Sequence, residues 1–399
     1  MAASFSPSVN IIRDAKKDLS YIVTPNAEQV ALQITDAFKK GVHAFTLIGS
    51  YGTGKSSFLW ALQQTLQNKT HFFGQGFLTS GPVRIINFIG VHQSLIEHFA
   101  EHLEVKNSLK GNQKIFDALF QEYEKVRSKN GLLVIAIDEF GKFLEYAAKF
   151  DPDRELYFIQ QLAEFVNDTD RNIILITTLH QNFEAYSAIE LSEAQRQEWK
   201  KVKGRLKEIT FNEPVEQLLI LASKTLKSKG KNRGIADSIL KLEQKHYLLS
   251  VDTSLIKELG DSLFPLDFIS AYALTKALQR YGQNERSLFT FLEIEKLAQK
   301  KVFGLSEVYD YLFNEYYSYL TTSNNADYTA WASIRDAVQR CESHIEDSEL
   351  SVKIIKAIGL LKLFGSKAAK IDKQFLKTYF ELIDENENVK STIDQLEKF

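Results

Sequence analysis

A parallel α/β sheet covered by helices, followed by an all-helical region, is the fold that the sequence predicts. Short apolar runs alternate with stretches of helical periodicity up to Pro214, and buried parallel strands have this continuous apolar character. After Pro214 the strand pattern stops, and the last of the six prolines is Pro265. The predicted strands are residues 44–48, 83–88, 132–137, 173–177 and 209–211.

Composition excludes several classes of protein. The 399 residues suggest two or three domains, and 44% hydrophobic content is enough for a packed core. With 49 basic and 51 acidic residues, the chain has no excess of positive charge, which excludes a protein that coats polyanions in general. A single cysteine, Cys341, excludes a disulfide framework and a cysteine-based metal site. No leader pattern and no long apolar run is present, so we expect a soluble, cytoplasmic protein without a membrane anchor.

Changes in the pattern divide the chain into four predicted parts. Residues 1–40 form an amino-terminal segment with a helix from about residue 26 that Asn26 would cap. Residues 41–214 form the α/β domain, residues 215–300 a helical lid and residues 301–399 a carboxy-terminal helical domain.

A glycine-rich motif directly after the first strand matches G-x-x-x-x-G-K-[ST] in full. We call residues 49–56 the phosphate loop; its members are Gly49, Ser50, Tyr51, Gly52, Thr53, Gly54, Lys55 and Ser56, with Ser57 following. Glycines let backbone N–H groups turn toward a phosphate, and the next helix adds the positive end of its dipole. Lys55 would contact the β- and γ-phosphates of ATP, and the Ser56 hydroxyl would bind Mg²⁺.

Two acidic residues follow the most apolar strand. Asp138 stands at the strand end, where a carboxylate can face the Mg²⁺ shell, and Glu139 is placed to polarise an attacking water. Acids at the end of a buried strand are costly unless a cation or solvent faces them. With the phosphate loop upstream, the pair indicates a site for ATP hydrolysis.

These motifs resemble those of the AAA+ ATPases, within the additional-strand P-loop class, in which an extra strand (here residues 83–88) lies between the two motifs. The resemblance implies a sensor on the fourth strand, for which Thr178 and His180 both qualify. It also implies that Arg205, before the last strand, is an arginine finger, and that Arg286, at the start of a helix, is a second sensor.

Some segments resemble narrower groups within the AAA+ ATPases. The glycine-arginine ending at residues 204–206 and residues 211–214 resemble the origin-recognition initiator clade. Residues 177–183, 199–205 and 282–289 resemble the large ATPases of bacterial phage-defence operons, such as the bacteriophage-exclusion systems. The resemblance implies a homo-oligomer with the finger acting in trans, and partner proteins in a defence or DNA-processing complex. The sequence leaves open whether DNA is bound.

The leading function is therefore an ATP-driven motor or switch in a nucleic-acid-directed complex. One alternative is an ATP-locked interaction module with little turnover. A distant third is a zinc metallopeptidase, because His98, Glu101 and His102 spell H-x-x-E-H.

Two further features are weaker. A basic run from Lys224 to Arg233 is typical of a solvated loop, with contact to a phosphate backbone as the alternative. Apolar stripes in residues 351–363, 372–380 and 389–396 predict three helices that resemble the helical half of a winged-helix domain, or else a plain bundle. The last stripe carries acidic residues, which favours protein docking over the reading of DNA.

Overall fold

Five parallel strands form the sheet of the computed structural model. The structure describes residues 9–74, 78–79, 81–105, 112–186, 192–211, 214–226, 235–282, 285–293, 302–323, 325–346, 348–383 and 388–398. The strands are β1 Ala44–Ile48, β2 Val83–Ile89, β3 Leu132–Asp138, β4 Ile173–Leu179 and β5 Lys207–Thr210. Their order across the sheet is β2-β3-β4-β1-β5, and every pair is parallel. The predicted α/β class is confirmed.

Helices connect the strands. They are α1 Pro25–Phe38, α2 Lys55–Leu66, α3 Leu95–His102, α4 Gln113–Arg127, α5 Gly141–Phe150, α6 Pro152–Val166 and α7 Glu193–Arg205. The predicted cap of α1 was wrong by two residues. The Thr24 hydroxyl accepts a hydrogen bond from the Ala27 N–H at 3.1 Å, and Pro25 occupies the first turn, where its missing N–H costs nothing.

The sheet is covered on both faces by apolar side chains. One core is formed with α3 to α7 and includes Phe99, Phe143 and Trp199. The other is formed with residues 11–37 and α2 and includes Phe58 and Trp60. Every residue of β3 and β4 is buried. Since alternate residues point to opposite faces, both faces of these two strands are covered. The carboxyl ends of the strands are thereby held in one rigid edge.

The amino-terminal segment is fastened to this second face through its backbone. The Trp60 indole donates to the Asp14 carbonyl at 3.0 Å, and the Asn87 amide donates to the Ile11 carbonyl at 2.9 Å. The Asp14 carboxylate, 1% exposed, accepts hydrogen bonds from the Arg13 guanidinium and the Asn10 N–H. Residues 9–24 therefore belong to the core of the α/β layer.

The described residues after 213 form helices joined by loops, with one isolated β-bridge between Leu266 and Phe303. The α-helices of this region are α8 Val215–Leu226, α9 Ala236–His246, α10 Thr253–Leu259, α11 Phe268–Tyr281, α12 Glu285–Leu292, α13 Leu305–Glu315, α14 Tyr317–Leu320, α15 Tyr328–His344, α16 Glu349–Phe364, α17 Lys373–Ile383 and α18 Val389–Leu396. The three helices predicted from apolar stripes correspond to α16, α17 and α18. Leu396 in α18 is half-buried against the small cluster around Cys341, and Phe399 lies outside the described residues.

A buried polar network joins helices from the predicted lid and the predicted carboxy-terminal domain. Asp267, fully buried, accepts hydrogen bonds from the Ser270 hydroxyl at 2.5 Å and from the Tyr379 hydroxyl at 2.9 Å. The Tyr379 oxygen also accepts from the Leu305 N–H at 3.1 Å. Buried polar groups satisfied in this way hold α11, α13 and α17 together.

The chain divides into two compact units, residues 1–212 and residues 213–399. This division falls next to the boundary predicted at Pro214. The finer boundaries at residues 40 and 300 stay predictions. Within the described ranges, no helix has the length and apolar character needed to cross a bilayer.

Candidate nucleotide-binding site

The phosphate loop connects the carboxyl end of β1 to the start of α2. Gly52 and Gly54 have φ of 70° and 82°, a left-handed conformation that side chains disfavour. Gly54 occupies the capping position of α2, and glycine has no side chain to cover the first N–H groups of the helix. The loop thus aims a helix N-terminus at the edge of the sheet, which is the geometry for an anion.

Lys55 lies in the first turn of α2 with its side chain folded onto the loop. Its ammonium donates to the carbonyls of Gly49 at 2.6 Å and Ser50 at 2.7 Å, and to the Thr53 hydroxyl at 3.3 Å. Lys55 is 7% exposed, and this burial lowers the pKa of its ammonium to about 8. The negative charge of Asp138 acts in the opposite direction and raises the pKa, but burial has the larger effect. A buried ammonium whose hydrogen bonds go to neutral oxygens is suited to exchange them for phosphate oxygens.

Asp138 ends β3 as a carboxylate that is 5% exposed. Burial raises the pKa of Asp138, whereas hydrogen bonds from the Ser56 and Thr178 hydroxyls favour its charged form. The Thr178 hydroxyl lies 2.6 Å from the Asp138 carboxylate. The structure therefore brings the phosphate loop, β3 and β4 together at one carboxylate, and a cation there would stabilise its charge.

Glu139 follows in a strained backbone conformation, with φ of 54°. Its N–H donates to the Thr178 hydroxyl at 2.9 Å and to the Asp138 carboxylate at 3.1 Å. Its carboxylate forms an ion pair with Lys142, the second residue of α5, and is partly exposed. Two neighbouring acids thus have separate surroundings, one buried and hydrogen-bonded by hydroxyls, the other facing solvent beside a lysine.

The structure places the two sensor candidates in different surroundings at the carboxyl end of β4. Thr178 is 1% exposed, and its hydroxyl is engaged by Asp138 and Glu139. His180 lies past the strand end with its ring stacked on Tyr51 of the phosphate loop, at 3.7 Å between ring centroids and 18° between planes. Burial and the nearby charge of Lys55 lower the pKa of the His180 imidazole to about 4, so it is neutral at physiological pH.

Arg205 lies far from the phosphate loop of its own chain. It ends α7 just before β5, and Lys207 of β5 pairs with Phe45 at the amino end of β1. The phosphate loop begins after the other end of β1, which at about 3.3 Å per residue is about 13 Å away along the strand. Its guanidinium is paired with Glu164 at 2.9 Å. Arg205 is therefore not assembled with the loop by this chain.

Two other predicted features do not join the site. The helix that begins at Glu285 is present as α12, but the side chain of Arg286 lies outside the described residues. In the H-x-x-E-H motif, His98 and His102 pack against Phe88 at 5.6 and 4.8 Å between ring centroids. Across the described part of the chain, no group of three or more histidine, cysteine or acidic residues is placed to hold a metal. The zinc peptidase hypothesis thus has no support.

Sequence reasoning missed three residues that shape the site. Lys142 pairs with Glu139, the Tyr186 hydroxyl accepts a hydrogen bond from the His180 N–H at 3.4 Å, and Gly90 contacts the Glu139 backbone. A lysine three residues after the glutamate and a glycine at the end of a strand were the available signals. Neither signal specifies its partner without the strand order.

The fold and the site together define a P-loop α/β protein. β4 lies between the phosphate-loop strand β1 and the Asp138 strand β3, the arrangement of the additional-strand class. This strand order fits the predicted α/β P-loop fold. The resemblance to AAA+ ATPases and to the origin-recognition clade rests on the sequence motifs. The resemblance to phage-defence ATPases stays a prediction.

Comparison with known proteins finds remote structural similarity. No protein-family model and no curated protein matches the chain. The chain is similar to a structure of the Drosophila ORC bound to DNA, at 13% identity over 93% of this chain and 86% of that chain, with a TM-score of 0.39. It is similar to the Aeropyrum pernix ORC2 protein in ADPNP and ADP complexes, at 13% identity over 70% and 71%, with a TM-score of 0.36. It is also similar to domain III of the Thermotoga maritima replication initiation protein DnaA, at 15% identity over 60% and 92%, with a TM-score of 0.29. The roles of individual residues rest on the geometry of this chain.

Proposed function

We propose that this chain is a Mg²⁺-dependent ATPase that acts as a motor or switch within a larger, nucleic-acid-directed complex. The observation that carries the proposal is the buried Asp138 carboxylate, which receives hydroxyl hydrogen bonds from both the phosphate loop and β4 and adjoins Glu139. Structural ion pairs also perturb buried acids, but here the carboxylate shares its edge of the sheet with a helix N-terminus and a buried lysine.

The residues present fit ATP and Mg²⁺. The first N–H groups of α2 and the Lys55 ammonium supply donors for phosphate oxygens. The Ser56 hydroxyl and the Asp138 carboxylate supply oxygen ligands of the kind that Mg²⁺ prefers. Bound there, Mg²⁺ neutralises charge on the phosphates.

In the proposed mechanism, each side chain has a separate task. Lys55 exchanges its two carbonyl partners for phosphate oxygens. Thr178 holds the Asp138 carboxylate and the Glu139 N–H in place, and Glu139 orients and polarises the attacking water. His180 contacts the transferred phosphoryl group or this water, and Arg286 remains a second-sensor candidate on α12. Catalysis then consists of positioning and stabilisation of charge.

We further propose that Arg205 completes the site of a second copy of this chain. The supporting observation is its location at the amino ends of the strands, the edge opposite to its own phosphate loop. A guanidinium brought in by a neighbour would stabilise charge on the transferred group. The complex then contains a homo-oligomer and partner proteins of a DNA-processing or defence system, and DNA binding is left to experiment.

An ATP-locked module with little turnover is the second candidate. The ion pair between Glu139 and Lys142 favours it, because a carboxylate that is bound to the lysine ammonium is less available to an attacking water. The two candidates differ in whether phosphate is released.

The experiment is binding of a fluorescent ATP analogue and release of phosphate, each with Mg²⁺ and with EDTA, and each with and without duplex DNA. Binding and release that both need Mg²⁺ support the ATPase. Binding without release supports the ATP-locked module. A protein that binds no nucleotide refutes both.

A further inference from the structure

Tyr51 and His180 form a contact between the phosphate loop and the end of β4. The ring planes are 18° apart with centroids 3.7 Å from each other, which is a stacked geometry. Tyr51 is 56% exposed, so its ring is not held in place by a surrounding core. The imidazole of His180 is therefore a packing partner of the Tyr51 ring in the phosphate loop.

The backbone of His180 is held separately from its ring. Its N–H donates to the Tyr186 hydroxyl at 3.4 Å, and burial raises the pKa of this hydroxyl to about 12, so it stays protonated. Tyr186 also covers Gly141, where an added Cβ would lie 2.5 Å from the tyrosine oxygen. This contact places the backbone at the end of β4 and leaves the orientation of the imidazole to Tyr51.

Charged groups surround the imidazole. Lys55 on α2 and Lys142 on α5 disfavour a second positive charge there, while Glu139 favours one, and burial outweighs the glutamate. A neutral imidazole carries one donor and one acceptor nitrogen, so it can contact either a phosphate oxygen or a water. The ring of Tyr51 covers one face of the imidazole from solvent, and this burial favours the neutral imidazole.

We propose that Tyr51 is a positioning residue for His180: its ring orients the imidazole toward the transferred phosphoryl group and ties that orientation to the conformation of the phosphate loop. The expected effect on turnover rests on the proposed ATPase function. The contact itself is a property of the nucleotide-free protein and can be tested without turnover.

The experiment compares Tyr51→Ala and Tyr51→Leu, which remove the ring, with Tyr51→Phe, which keeps it. The matched control is Tyr157→Ala, since Tyr157 on α6 is 57% exposed and lies outside the site. The first readout is the titration midpoint of the His180 imidazole by NMR in nucleotide-free protein, assigned with His180→Asn. The second is kcat together with the affinity for an ATP analogue.

Loss of the ring is expected to move the His180 midpoint toward its ordinary value of 6.5. It should also lower kcat about tenfold or more, with analogue affinity within about threefold of wild type, because misplaced groups cost turnover more than binding. Tyr51→Phe is expected to restore the midpoint and kcat. Tyr157→Ala should match wild type in both readouts.

Three results would overturn the proposal. An unchanged midpoint in both ring-deleted variants would mean that the stack does not govern the imidazole. Equal defects in Tyr51→Phe and Tyr51→Ala would assign the effect to the hydroxyl. Lost affinity at an unchanged midpoint would make Tyr51 a nucleotide contact only. Wild-type protein without turnover would refute the proposed function, and the midpoint would still decide the positioning role.

Discussion

Gly90 and Glu139 are packed so closely that a Cβ atom at Gly90 would lie 1.9 Å from the Glu139 carbonyl oxygen. The Gly90 N–H also donates to the Asp138 carbonyl at 2.7 Å, so the end of β2 holds the backbone of both acids. Glu139 has the left-handed φ of 54°, which costs free energy and persists only where the surrounding structure enforces it. Gly90 is one of the groups that enforce it.

Gly90→Ala is expected to displace Glu139 and lower kcat by about tenfold to a hundredfold, with nucleotide affinity retained, because Gly90 lies outside the phosphate loop. The overpacking should also cost about 1–3 kcal/mol of unfolding free energy. The measurements are steady-state phosphate release, analogue binding and chemical denaturation. The control is Gly74→Ala, since an added Cβ there meets no atom within 4 Å. Unchanged turnover in Gly90→Ala would contradict this role.

Lys55→Ala is expected to abolish nucleotide binding, whereas Glu139→Gln should bind normally and lose about 10²–10⁴-fold in kcat. Lys55 contacts phosphate in the ground state, and Glu139 acts only on the attacking water. Analogue titration and single-turnover phosphate release separate the two effects. Near-normal turnover in Glu139→Gln would point to a different base.

Arg205→Ala and Lys55→Ala proteins are each expected to lack turnover and to recover part of it when mixed. A mixed assembly contains some sites with an intact lysine from one chain and an intact arginine from the next. Wild-type turnover should accordingly rise with protein concentration. Arg196→Ala, on the same helix α7, controls for lost surface charge. A mixture that stays inactive while both variants assemble normally would refute the finger assignment.

Asp14 is expected to stabilise the α/β unit in a pH-dependent way. The Arg13 guanidinium holds the pKa of the Asp14 carboxyl well below its ordinary 3.8, so the folded state prefers the charged form. The stabilisation is therefore complete above pH 4 or so and declines as the pH falls below the ordinary pKa. Denaturation of wild type and Asp14→Asn should differ at pH 7, and the difference should shrink by pH 3. A difference that grows toward acid would contradict this sign.

The strands could be predicted because they are buried on both faces. Continuous apolar runs placed all five. The largest boundary errors were two residues: β5 begins at Lys207 and not at Ile209, and β4 was expected to end at Thr177 and continues to Leu179. Threonine closed the apolar run, although backbone pairing with β1 continues through Leu179. Helix α5 was missed even though its buried residues 143, 144, 147 and 148 have helical spacing.

The site was predictable in its parts but not in its connections. Motif spacing located the phosphate loop, Asp138 and Glu139. The choice between Thr178 and His180 needed the structure: the Thr178 hydroxyl donates to the buried Asp138 carboxylate at 2.6 Å, whereas the His180 ring stacks on Tyr51 of the phosphate loop. The stack of Tyr51 on His180 and the contact of Gly90 with Glu139 depend on strand order, which a single sequence does not encode locally.

The division between residues 212 and 213 has a consequence for the history of this chain. Each unit is continuous in sequence, so the polypeptide passes from one to the other once. A single recombination event at that point would transfer the whole helical unit, including its Asp267 network, without cutting either set of packed elements. The phosphate loop, Asp138 and Glu139 all lie in the first unit and would be kept when the helical unit is exchanged.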